Sequence, residues 1–179
     1  MIRHSRIVAT MTKRRLAVLL VAAAAVSTAM ALAGAALATP NSGVLISSVV
    51  ARAGFADPVD IKFKIGPGDQ EVIHVSNAQD TVMQQVVIAP GGYTGWHSHP
   101  GPVVVLVKAG TLTFYAGDDP TCTGRTYTAG QSFIDRGQGH VHIGRNEGSE
   151  NLELWSAYFD VPPSQPFRID APRPGNCDF

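Results

Sequence analysis

The stretch that decides the fold is residues 91–110, GGYTGWHSHPGPVVVLVKAG, where two histidines lie between a glycine-rich segment and a run of valine and leucine. Residues two apart on a β-strand point to the same face, so His97 and His99 can reach one point. A transition metal accepts imidazole nitrogens at about 2.0 to 2.1 Å, a distance that two such side chains can satisfy together. A second pair at strand spacing follows at His140 and His142. Together the two pairs predict a shared metal or polar ligand site, whereas a single His-x-His pair in an exposed strand is more often solvated polar surface.

The chain after residue 38 alternates between short β-patterned runs and turns. In residues 59–65, VDIKFKI, apolar and charged side chains alternate with period two, which is typical of a half-buried strand. Further strands are predicted at residues 71–75, 81–89, 103–107, 111–116, 132–135, 140–144 and 151–159, and turns at 66–69, 90–92, 117–121, 129–131 and 146–150. Residues 44–52 fit either a strand or a helix. Many short strands with regular turns predict an all-β sandwich or barrel that can hold one small ligand.

The N-terminal segment, residues 1–38, has the pattern of an export signal. Basic residues 13–15 precede an apolar core of eleven residues, 16–26, and the small-x-small triplet 36–38 offers a cleavage site before Thr39. An uncleaved membrane anchor is the alternative, because residues 16–38 are just long enough to span a bilayer. The paired arginines leave the general and the twin-arginine export routes both open. We expect the folded part to be secreted or to lie in the cell envelope, with membrane contact only if the signal is not cleaved.

The charge of the chain is unevenly distributed. The 179 residues include 14 basic and 14 acidic ones, but five of the basic residues and none of the acidic ones lie in the first 38. The remainder carries a net charge near −5 and contains no basic run that could neutralise phosphates, so nucleic acid is not an expected partner. The length predicts one domain, residues 39–160, followed by a proline-rich tail at 161–179 that wraps the surface as extended coil.

Two cysteines predict one disulfide. Cys122 lies in the turn-like segment 117–124 and Cys177 is close to the C-terminus, so a bond between them would pin the tail onto the body. An exported protein favours that bond, and two free thiols are the alternative. Closing a loop of this length stabilises a fold by about 4 kcal/mol in the chain-entropy model.

The histidine-bearing segments resemble the two sequence motifs of the cupin superfamily of small β-barrels. The first motif, G(X)5HXH(X)3,4E(X)6G, is followed from Gly91 through His97 and His99 to Gly110, with Val103 where the family usually has a metal-binding glutamate. The second, G(X)5PXG(X)2H(X)3N, is followed by Gly130, Gly139, His142 and Asn146. Its first spacer is one residue longer, and Gly137 replaces the proline. The resemblance covers roughly residues 80–160.

This resemblance implies a single cupin-type barrel, a double-stranded β-helix or jelly roll, over residues 39–160. It implies that His97, His99 and His142 hold a divalent transition metal (Mn, Fe, Ni, Cu or Zn). In the family, three histidines without the glutamate can still hold a metal, although other cupins with that loss bind none. The expected function is metal-dependent oxidation, isomerisation or lyase chemistry on a small molecule. A non-catalytic small-molecule- or metal-binding module and a metal-free structural domain are the alternatives, and homodimers are common among cupins.

Two further polar positions adjoin the expected site. His140 shares a predicted strand face with His142, so it is a candidate fourth ligand or catalytic acid or base, whereas a rim histidine without a role is the plainer interpretation. Gln84 and Gln85 are adjacent on a predicted strand, so one of them must face inward. An inward glutamine can orient a ligand or simply satisfy the barrel interior.

Overall fold

The structure, a computed structural model, describes residues 37–66 and 71–179. Within these ranges every regular element is a strand, and no helix is long and apolar enough to cross a membrane. The strands are β1 (Ser42–Ala53), β2 (Ile61–Ile65), β3 (Glu71–Val75), β4 (Asp80–Tyr93), β5 (His97–Ser98), β6 (Val103–Ala109), β7 (Thr111–Ala116), β8 (Arg125–Thr128), β9 (Ser132–Asp135), β10 (His142–Arg145), β11 (Leu152–Val161) and β12 (Ile169–Asp170). The predicted export signal lies outside the described residues except for its last two positions.

Ten of the strands form one antiparallel sheet that curls into a nearly closed barrel. Its order is β12-β5-β10-β4-β11-β6-β9, with β1 paired to β4, and with β7 paired to both β10 and β8. Strands β2 and β3 form a separate hairpin, in register from Ile61 opposite Val75 to Ile65 opposite Glu71. The prediction of an all-β barrel is therefore confirmed.

Side-chain alternation along the strands decides what fills the barrel. On β11, Leu152, Leu154, Ser156 and Tyr158 are buried, whereas the residues between them are partly exposed. Around the first half of β11 the interior is apolar, and its cluster comprises Ile88, Val107, Leu112, Leu152 and Leu154. Around the second half, a second apolar cluster of Val82, Val103, Tyr158 and Val161 lies beside the buried polar side chains of Gln84 and Ser156.

Several local predictions differ from the structure. Residues 44–52, whose sequence fits either a strand or a helix, belong to strand β1 because β4 pairs with them along their length. The predicted turn at 90–92 is wrong, since these residues continue β4 through a register shift opposite Gly43. Strand β8 was not predicted, because four residues without an apolar pattern of their own become a strand by pairing with β7.

The C-terminal tail packs beside β5 rather than remaining wholly coil. Its short strand β12 places Asp170 opposite His97, and the Ala171 amide donates a 2.9 Å hydrogen bond to the Trp96 carbonyl. A disulfide joins Cys122 to Cys177, with 5.3 Å between their Cα atoms. The tail is thus held to the barrel at β5, which carries His97, and at the segment that contains Cys122.

Candidate metal centre

Three of the four paired histidines meet in the barrel interior. Strand β5 and the residue after it supply His97 and His99, and β10 supplies His142 directly opposite His97. The imidazole ring centres lie 4.4 Å (97 to 142), 4.8 Å (97 to 99) and 5.1 Å (99 to 142) apart. All three side chains are buried. Cross-strand pairing therefore brings together residues that the sequence separates by more than forty positions.

Backbone carbonyls orient the three imidazole rings. Each Nδ1 faces a carbonyl oxygen: His97 to Gly95 at 2.9 Å, His99 to Phe167 at 2.7 Å and His142 to His140 at 3.2 Å. A carbonyl can only accept, so Nδ1 carries the hydrogen and Nε2 keeps its lone pair. The same arrangement prepares histidines for metal binding in proteins generally, since the second nitrogen of the ring is left free to ligate.

Burial keeps these histidines neutral. It lowers the pKa of His97 well below its ordinary value and, with repulsion from His142, that of His99 to about 4. The pKa of His142 is lowered as well, again mainly because the ring is removed from water. At neutral pH all three rings are therefore available as unprotonated ligands.

A cavity of about 100 Å³ adjoins the histidines. This is space for roughly three water molecules, or for a ligand of a few heavy atoms. Its polar wall includes Ser156, Arg168, Gln84 and Tyr158, and the Tyr158 hydroxyl donates a 2.6 Å hydrogen bond to Gln84 Oε1. Gln84 is thus the glutamine that faces inward, while Gln85 donates to Glu153 on the neighbouring strand.

The site also contains a buried carboxylate that the sequence pattern did not indicate. Asp135, at the end of β9, lines the same cavity, and its Oδ2 lies 3.9 Å from His99 Nε2 and 3.7 Å from His142 Nδ1. Burial alone would raise the pKa of Asp135, but the neighbouring histidines and the Gly137 amide outweigh it and hold the pKa below its ordinary value. The sequence signal that could have indicated Asp135 is the two-residue period of a strand. Phe133 and Asp135 are two residues apart, so they point to the same face, and both line the cavity.

His140 lies outside this cavity. It precedes β10 instead of belonging to it, so the predicted common strand face with His142 is wrong. It lines a surface pocket, with Nε2 3.0 Å from Asp118 Oδ1 and Nδ1 3.6 Å from Asp135 Oδ1. Its contacts with Asp135 and then Asp118 raise its pKa. His140 therefore lies near Asp135 Oδ1, whereas His99 and His142 lie near Oδ2.

The neighbouring loop explains one departure from the second motif. Gly137 has φ of 60°, which proline cannot adopt, and a Cβ there would lie 1.8 Å from the Gly101 carbonyl oxygen. The Gly139 amide donates a 3.0 Å hydrogen bond to the His99 carbonyl. Glycines thus let this loop pack against the first histidine pair.

The donor set matches what divalent transition metals bind. Three neutral imidazoles with free Nε2 atoms and one carboxylate oxygen within 4 Å of two of the rings supply the nitrogen and oxygen ligands typical of such sites. Fold and site together define a small antiparallel β-barrel with a candidate metal centre in its interior. Residues 84–161 match the family model described as the cupin domain.

Solved structures of similar proteins include an oxalate oxidase, which is 24% identical over 51% of this chain and 46% of its own, with a TM-score of 0.43. This chain thus spans about half the length of that protein. A cupin domain from Bordetella pertussis is 17% identical over 70% of this chain and 99% of its own, with a TM-score of 0.44. A cupin family protein with a double-stranded β-helix fold from Methanocaldococcus jannaschii is 17% identical over 52% of this chain and 72% of its own, with a TM-score of 0.39. No curated protein matches the chain.

Proposed function

We propose that the barrel holds one divalent transition metal (Mn, Fe, Ni, Cu or Zn) through Nε2 of His97, His99 and His142 and binds a small molecule beside it. The observation that carries the proposal is the set of three Nδ1 contacts to backbone carbonyls, which leaves all three Nε2 lone pairs free. A metal bound there would supply Lewis-acid or redox chemistry for oxidation, isomerisation or lyase reactions.

The chain's own residues define what the cavity accepts. Arg168 lies on its wall, where Nε donates to Asp170 at 2.8 Å and Nη2 donates to the Thr94 carbonyl at 2.6 Å. These bonds hold a permanent positive charge beside the cavity, which favours a small anionic or oxygen-rich ligand. Gln84 and Ser156 add amide and hydroxyl groups that orient such a ligand by hydrogen bonding.

Ligand capture without turnover is the second candidate function. Apart from the histidines and Asp135, the described polar groups on the cavity wall are hydroxyls, amides and a guanidinium. None of these exchanges protons readily at neutral pH, and burial raises the pKa of Tyr158 further. Recovery of an unchanged small molecule from purified, metal-loaded protein supports capture, whereas conversion of an added small oxygen-rich compound supports catalysis.

We further propose that the protein acts outside the cytoplasm, secreted or in the cell envelope. The N-terminal export pattern supports this, and so does the disulfide between Cys122 and Cys177, because structural disulfides persist in oxidising compartments. Cell fractionation with an antibody against the barrel tests this point, and recovery of the whole pool in the cytoplasm would contradict it.

Elemental analysis of untagged protein purified from an exported preparation tests the metal proposal. We expect about one equivalent of transition metal per chain in the wild type and in a His74→Ala control, which removes an exposed histidine on β3. The double variant His97→Ala, His142→Ala should contain almost none. A metal-free wild type that gains no thermal stability from added Mn, Fe, Ni, Cu or Zn would overturn the proposal.

A further inference from the structure

The two oxygens of Asp135 have different surroundings. Oδ1 accepts a 3.3 Å hydrogen bond from the Gly137 amide and faces His140 Nδ1. Oδ2 is buried and has no hydrogen-bond partner among the described residues. The side chain is only 2% exposed, so solvent does not compensate Oδ2. A buried carboxylate oxygen without a partner is costly, which indicates that something else belongs there.

Two ring nitrogens lie near Oδ2, and neither forms a hydrogen bond with it. His142 Nδ1 is 3.7 Å away, beyond hydrogen-bond distance, and donates its hydrogen to the His140 carbonyl. His99 donates through Nδ1 to Phe167, so its Nε2, which lies 3.9 Å from Asp135 Oδ2, presents a lone pair. A lone pair and a carboxylate oxygen both accept, and no hydrogen lies between them while the ring is neutral. Two acceptors that face each other repel, and a positive ion between them would remove the repulsion.

Strand register explains how this carboxylate reaches the site. Asp135 on β9 lies directly opposite Val103 on β6. Val103 is buried, lines the cavity and occupies the position where the sequence motif usually has a glutamate. Paired strands are about 4.7 to 4.9 Å apart, so a carboxylate on the neighbouring strand can approach the same interior point.

We propose that Asp135 Oδ2 is the fourth protein ligand of the metal held by His97, His99 and His142, supplied from the strand next to Val103. This inference rests on the proposed metal site. One carboxylate with three neutral imidazoles leaves a bound divalent ion with a net charge of about +1, and this partial neutralisation favours oxygen-preferring ions such as Mn(II).

Mn(II) titration of metal-stripped, disulfide-intact protein tests the role of Asp135. Asp135→Asn keeps the side-chain shape and the oxygen that accepts from Gly137, but it removes the charge. We expect it to weaken Mn(II) binding about 10- to 100-fold, with a changed Mn(II) electron paramagnetic resonance spectrum. Asp118→Asn is the matched control, because it removes a carboxylate that contacts His140 and does not line the cavity of the three histidines. This variant should change the Mn(II) affinity less than about threefold.

The outcomes separate the two proposals. If wild type binds Mn(II) and Asp135→Asn binds it equally well, the role of Asp135 is overturned while the three-histidine site stands. If wild type binds none of the five metals, the metal proposal itself fails.

Crystals of Mn(II)-loaded wild type give a second measurement that needs no variant. An Asp135 oxygen about 2.2 Å from the ion supports the inference. An ion more than about 3.5 Å from Asp135, or one held by Asp135, His140 and His142 without His97 and His99, overturns it.

Discussion

Removing the disulfide should destabilise the protein by an amount that follows from its loop length. Cys122 and Cys177 are 55 residues apart, and closing such a loop reduces the entropy of the unfolded chain by the equivalent of about 4 kcal/mol. We therefore expect Cys122→Ser with Cys177→Ser to lower the free energy of unfolding by about 4 kcal/mol. At a typical dependence of about 2 kcal/mol per molar urea, the unfolding midpoint falls by about 2 M.

Intrinsic fluorescence is a suitable assay, because Trp96 is fully buried in the cluster that also contains Cys177 and Ala171. Both proteins are measured without metal, so that binding of an ion does not add to the stability of either one. Reductant added to the wild type is the control and should reproduce the variant's midpoint. A loss below about 1 kcal/mol would refute the loop-entropy reasoning and assign the attachment of the tail to its hydrogen bonds and packing.

Three further predictions concern pH, loop geometry and assembly. In the metal-free protein the pKa of His99 is about 4 instead of 6.5. The contribution of His99 to the free energy of unfolding is therefore fully present above about pH 6.5, and about 3 kcal/mol of it is lost as the pH falls through 4. A flat profile of unfolding free energy against pH would contradict this. Gly137→Ala should lower the melting temperature more than Gly130→Ala, since both positions have positive φ but a Cβ meets backbone only at 137; equal losses would contradict the crowding. We expect homodimers to form through the outer edge of β1, where Val49 is 49% exposed. Light scattering should then show a dimer for the wild type and a monomer for Val49→Lys. A monomeric wild type would refute this assembly.

The strands that the sequence predicted are those whose burial pattern is local. In residues 103–107 and 151–159 the apolar run or the alternation is complete within one segment, and the barrel merely supplies the partner strands. The short strands β8 and β12 have no such pattern and exist because a neighbouring strand pairs with them. Propensity is a weak guide where pairing supplies most of the stabilisation.

The first two of the three buried histidines were predictable because residues two apart on a β-strand point to the same face. Strand periodicity makes His97 and His99 neighbours, and the resemblance to the second cupin motif added His142. The same spacing misled at His140, where the chain has not yet entered β10. Side-chain direction follows from periodicity only while the backbone is extended.

What the sequence by itself determined is therefore the all-β class, the two histidine pairs at strand spacing and the two cysteines that could pair, because each depends on residue type and local period. The resemblance to the cupin motifs then selected His97, His99 and His142 as the histidine triad. Only the tertiary structure decided that Asp135 faces the triad, that His140 lies outside it and that Arg168 from the tail borders the cavity. These placements depend on which strand lies beside which and in what register. Pairing between strands distant in the chain is set by the packing of the whole barrel, which no single segment of sequence encodes.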